Sequence, residues 1–322
     1  MIKLRDLVPT NLQQEKGKFF QNQDYNPQFT YQKKFDSIDL HYYGLPKQKY
    51  LDLAKEIVDK AYFNKTEKDI LDLEGAEVNQ EKVDQKIKNF LREHHIENRF
   101  GVIWSESFLS SVSFTPQALK LRTPCKMREG ELRSLLFHEI GTHALRRVNY
   151  EQQPWFKKKR QYGFRPHLRT EEGLATLHSL IARNFKYAAR WALSYLLVDF
   201  AQQHSFVETW NFLKPYIQNP DRRWLFTIRR KRGIIDTSQP GGFTKDLIYL
   251  EGTVEIYKYL EKNNFDITKL YYGKIAHEDA EKVYQLNPNF RPLLPIFYTS
   301  NQEKYVTHLN EVAEINLINQ VK

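Results

Sequence analysis

Within the run LLFHEIGTHALRR, His138, Glu139 and His143 place two imidazoles and a carboxylate close together in the chain. Imidazole is a common zinc ligand, and a carboxylate adjacent to one ligand can reach a metal-polarised water as a general base. The spacing is His-Glu-x-x-x-His, one residue longer than the familiar HExxH helix. On an α-helix residues four apart are separated by only about 40°, whereas residues five apart are separated by about 140°. The two imidazoles can therefore share an ion only if the turn between them widens. A π-bulge at 140–142 would absorb the extra residue, and Gly141 sits where the backbone deforms most easily. The plainer alternative is two unrelated helical histidines, one buried and one exposed.

A third donor would complete such a site. Downstream, HLRTEEGLATLHSL supplies Glu171 and Glu172 at the start of a further helix. Two histidines and one such carboxylate would form a zincin arrangement with one coordination position left for water. Adjacent glutamates in a first turn are more commonly surface residues favoured by the helix dipole. Of the remaining histidines, only His167 lies close enough in sequence to stand in as a ligand. The single cysteine, Cys125, has no partner for a disulfide or a thiolate cluster, and no His or Asp placed to make it a nucleophile.

The elements around these residues read as α+β and predominantly helical, with a small sheet before the active-site helix. Residues 1–45 show no sustained period and are expected to form an extended arm. Residues 46–98 form a helical layer, opened by Pro46 with Tyr50, Leu53, Ala54, Ile57, Val58 and Ala61 at helical spacing. Residues 99–322 are expected to make a zincin-like catalytic domain, compact with the preceding helices. It would begin with short β-prone runs, RFGVIWSES and SVSFTP, followed by QALKLR. Met127 to Tyr150 reads as helical, Thr170 as the cap of a helix running to about residue 190, and Thr244 as the cap of another.

At 322 residues, 41% hydrophobic and 27% charged, the chain has the composition of a folded globular protein. Its longest apolar run, Trp191 to Ala201, is too short to span a membrane, and the N-terminus has no apolar leader core. With one cysteine, this leads to an expectation of a cytoplasmic protein. The net charge of +10 predicts attraction to polyanions, and the basic residues cluster. One block runs from Arg146 to Arg169 with only Glu151 opposing it; a second spans Arg222 to Arg232. Either block could be a solvated face. A non-enzymatic polyanion or RNA-binding protein is the alternative from another class, although no RNA-binding motif is readable.

HEIGTH, the EEGLA that follows some thirty positions later, and RRKRGIIDTSQPGGFTKDLIYLEG together resemble the microtubule-associated tyrosine carboxypeptidases and their bacterial relatives with a QEGLA motif. The resemblance implies that His138, His143 and Glu172 bind Zn2+ and that Glu139 is the catalytic base. Glu171 stands where relatives carry Gln, adding a negative charge without being expected to influence metal affinity. The implied reaction releases a C-terminal tyrosine or other aromatic residue from acidic tails such as that of α-tubulin, in a cytoplasmic and cytoskeletal setting. A bacterial QEGLA-type peptidase with another substrate is the nearer alternative. Arg169, three residues before Glu172, could hold the substrate carboxylate, because bidentate arginine suits that group. Arg229 and Arg232 match the family's basic stretch; Lys245 and Tyr249 are candidate substrate contacts on the same resemblance.

Overall fold

A computed structural model describes residues 4–106, 112–125 and 127–321. Among the described residues the fold is mostly helical with two small sheets. It divides into two compact units, each assembled from separated stretches of chain. Among the described residues, no helix is long and apolar enough to cross a membrane.

The first unit contains residues 4–68, 188–250 and Val321. The Gln48–Tyr62 helix buries Tyr50, Leu53, Ala54, Ile57, Val58 and Ala61, as its spacing predicts, and packs against Ala189–Gln203. The stretch expected to run as an arm includes a helix at Leu12–Gln21. Its inward face consists mainly of Glu15 and Phe19, too little for a periodic signal. Phe19 joins Phe29, Phe206, Trp210 and Trp224 in an aromatic core, with edge-on ring contacts such as Phe19 to Trp210 at 5.3 Å.

The second unit contains residues 69–187 and 251–320 and carries both sheets. Gly101–Ser105 pairs parallel with Ala118–Arg122, whose other edge pairs antiparallel with Val112–Phe114. Ser107 and Ser111, at the ends of two expected β-runs, lie outside the described residues. Glu77–Val78 pairs antiparallel with Met127–Arg128, so the segment read as helical from Met127 begins with two strand residues. The helical run from Glu129 to Glu151 packs against Leu168–Ala182, which also contacts Gln302–Ile315. The Leu247–Lys262 helix follows a short 3-10 turn at Thr244–Asp246 and passes from the first unit into the second after Leu250.

Candidate metal centre

The helix bearing both histidines is built in three pieces: α-helical Glu129–Leu135, π-helical Leu136–Ala144 and α-helical Leu145–Glu151. The widened turn required by the five-residue spacing is present, and it extends over nine residues rather than the three expected. Such winding is rare and needs support. Tyr271 donates its hydroxyl proton to the Gly141 carbonyl at 2.6 Å. Thr142 donates to the Phe137 carbonyl at 2.9 Å, leaving its oxygen to accept from His178 Nδ1 at 2.8 Å; His178 Nε2 then accepts from the Tyr305 hydroxyl at 2.9 Å. Each proton in this relay has one place to go. Gly141 also serves packing: a Cβ there would lie 2.6 Å from Phe297 Cε1, whose ring stacks on Phe137 with centroids 4.0 Å apart.

Glu171 and Glu172 sit near the start of Leu168–Ala182, where every residue from Thr170 to Ala182 is buried. They are therefore not the surface pair that a first turn ordinarily offers. Gly173 explains how this helix comes so close to its neighbour, since a Cβ on it would lie 2.3 Å from the Gly252 backbone. Thr170, expected as the cap, lies inside the helix; its hydroxyl pairs with His277. The helix ends at Ala182, earlier than expected.

With the turn widened, the His138 and His143 rings face the same region, their centroids 4.9 Å apart. Glu172 Oε2 lies 3.9 Å from His138 Nε2 and 3.7 Å from His143 Nε2. One ligand atom from each of the three residues falls within 4.8 Å of the others. These separations suit donors around one ion bound at about 2.0 to 2.2 Å, and two nitrogens with one carboxylate leave a tetrahedral position open. His167 is not in the group; its Nδ1 meets Lys159 Nζ at 3.0 Å.

The surroundings tune these groups. Burial pushes the Glu139 carboxyl above the ordinary carboxylate range, reinforced by Glu172 and Glu171 and opposed by His143 and Lys274. Burial works against a charged His143, but the hydrogen bond from its Nδ1 to Glu171 at 2.8 Å and the negative charges of Glu171, Glu172 and Glu139 together outweigh it and raise the imidazole. Glu171 is held well below the usual range: its burial is overcome by Arg146, Lys274 and His143. Arg146 Nη1 reaches Glu171 at 2.5 Å, and Lys274 donates to the same carboxylate.

The sequence model of the microtubule-associated tyrosine carboxypeptidases matches residues 28–305. The chain belongs to this family of metallopeptidases. It is 32% identical to microtubule-associated tyrosine carboxypeptidase 1 of Mus musculus, over 98% of this chain and 69% of that protein. The Rattus norvegicus protein of the same name gives the same identity and coverage. The Homo sapiens protein is 34% identical over 85% of this chain and 60% of its own length, so the chain spans less than two thirds of that relative.

In this tyrosine carboxypeptidase family member, the other candidates are distributed between the two units. Arg169 belongs to the second unit and is engaged by two carboxylates, Glu251 at 3.2 Å and Glu255 at 3.1 Å. Arg229, Arg232, Lys245 and Tyr249 belong to the first unit. There Arg229 and Arg230 flank buried Asp246 at 3.1 and 3.2 Å, and Lys245 Nζ lies 5.6 Å from the centre of the Tyr249 ring. Lys274, Tyr271 and Tyr305, which also surround the metal group, are concealed in the sequence by distance along the chain, whereas His178 stands on the same helix as Glu172 but lacks the spacing of a ligand. Arg146 had a readable signal, one helical turn beyond His143, although its basic block reads equally well as a solvated face.

Proposed function

We propose that the chain is a zinc-dependent metallocarboxypeptidase with a zincin-like site, releasing a C-terminal tyrosine from acidic protein tails of the α-tubulin kind. The observation that carries this reading is the convergence of His138, His143 and Glu172 on one point beside a half-buried Glu139. The names of the relatives support the tyrosine and the microtubule setting. Two imidazoles and a carboxylate are a donor set suited to zinc. Zinc, when bound, would supply Lewis acidity to the scissile carbonyl and to water.

The chain's own residues perform the remaining work. His138, His143 and Glu172 hold the ion. Glu139, whose affinity for protons is raised by its surroundings, takes a proton from the attacking water and returns it to the departing amine. Arg229, Arg232, Lys245 and Tyr249 are proposed substrate contacts, the cations drawing carboxylates of the tail. Arg169 retains this proposed role only by exchanging a glutamate for the substrate's carboxylate, since its present partners already answer its charge.

The test combines metal analysis of the purified protein with incubation on acidic peptides ending in tyrosine, reading amino acids released. Stoichiometric zinc and chelator-sensitive tyrosine release are expected. Glu139→Gln is expected to retain the metal and lose turnover by at least about a hundredfold. Absence of both metal and release from the wild-type chain would refute the reading.

A further inference from the structure

We propose that Glu171, clamped by Arg146 and Lys274, is a positioning residue that aims His143 at the metal. The inference rests on the preceding reading that His138, His143 and Glu172 hold an ion. His143 Nδ1 lies 2.8 Å from Glu171 Oε1. An ionised carboxylate can only accept, so Nδ1 carries the proton and the lone pair is left on Nε2, the atom 3.7 Å from Glu172 Oε2. A carboxylate partner also makes an imidazole a stronger donor to a metal.

Placing a third carboxylate beside Glu172 and Glu139 would ordinarily repel both, but two cations answer it. Arg146 is fully buried and is itself fixed by the carbonyls of Leu270, Gly273 and Ile275 at 2.9, 3.1 and 2.8 Å. Lys274 closes on Oε1 from the same loop. The frame is thus rigid and charge-compensated. Glutamine at 171 could present either its oxygen or its NH2 to the ring and would leave the tautomer unfixed; glutamate permits one.

The experiment measures zinc dissociation constants by chelator competition for the full chain, Glu171→Ala and Glu171→Gln. Long-range 15N–1H spectra of the metal-free proteins, recorded on the alkaline side of the His143 titration where the ring is neutral, report which of its nitrogens is protonated. Zinc should bind at least about tenfold more weakly to Glu171→Ala, the lower end of the range typical of such outer partners, and at least about threefold more weakly to Glu171→Gln, which keeps one acceptor oxygen. The wild type should show the Nδ1–H form and the variants a mixture. A role confined to fold stability would lower the melting temperature without changing either readout. If Glu171→Ala does not fold, Glu171→Gln carries both measurements. Variants within twofold of a zinc-binding wild type, or an Nε2–H wild type, would overturn the positioning role alone. A wild type that binds no zinc would overturn the site reading with it.

Discussion

His178 shows how much of this site depends on residues that never touch the chemistry. Completely buried, it is held neutral with its pKa pushed down to about 3, chiefly by burial and then by Arg146. In the unfolded chain it titrates near its ordinary value, so between those limits the unfolded state binds more protons. Its contribution is therefore complete above about pH 6.5 and is lost as pH falls toward 3, by roughly 4 kcal/mol at the acid end. Urea denaturation across this range should show His178→Gln with a flatter acid limb than the wild type. Tyr305→Phe should cost about 1 to 3 kcal/mol, because His178 Nε2 would lose its donor within the core. Such residues leave little trace in sequence. The paired histidines were legible because one helix carries both, whereas His178 and Tyr305 meet across 127 positions.

The two helices of the site were legible as helices, and the five-residue interval between the histidines announced the wide turn. The extent of that turn was not legible, since it depends on the distant Tyr271 and on the Thr142 relay. Nor was the contact that brings the glutamate helix into place. Gly173 and Gly252 meet backbone to backbone, and a methyl on Gly173 would strike main chain that cannot rotate aside. Gly173→Ala should destabilise the protein by about 3 kcal/mol or more and weaken metal binding, since Glu172 is its immediate neighbour. Gly141→Ala meets the Phe297 side chain first, which can give where main chain cannot, so a cost of about 1 to 3 kcal/mol is expected. Calorimetry on both variants would check the ranking; equal losses would show that the Gly173 backbone contact is no tighter than a side-chain one.

Across the molecule, the +10 charge has sources of different character. Lys157, Lys158, Arg160 and Arg165 are exposed, whereas Arg146, Arg230 and Lys231 are buried in structural roles. Lys159 differs from its neighbours too: it donates to the Lys274 carbonyl, and burial pushes its pKa down to about 7. Composition could count these charges but not sort them, because sorting needs burial. Replacing Lys157, Lys158 and Arg160 with Gln should at least halve the loss of kcat/KM on acidic peptides between about 50 and about 300 mM salt. An unchanged slope would confine these residues to solvation.

The interleaving of the units bears on biosynthesis. His138, His143 and Glu172 leave the ribosome early, yet Tyr271, Lys274 and Tyr305, which brace them, follow only after the whole 188–250 excursion into the first unit. A nascent chain halted at residue 250 would hold every proposed ligand and none of those three braces, so competence for metal is expected to arrive late in translation.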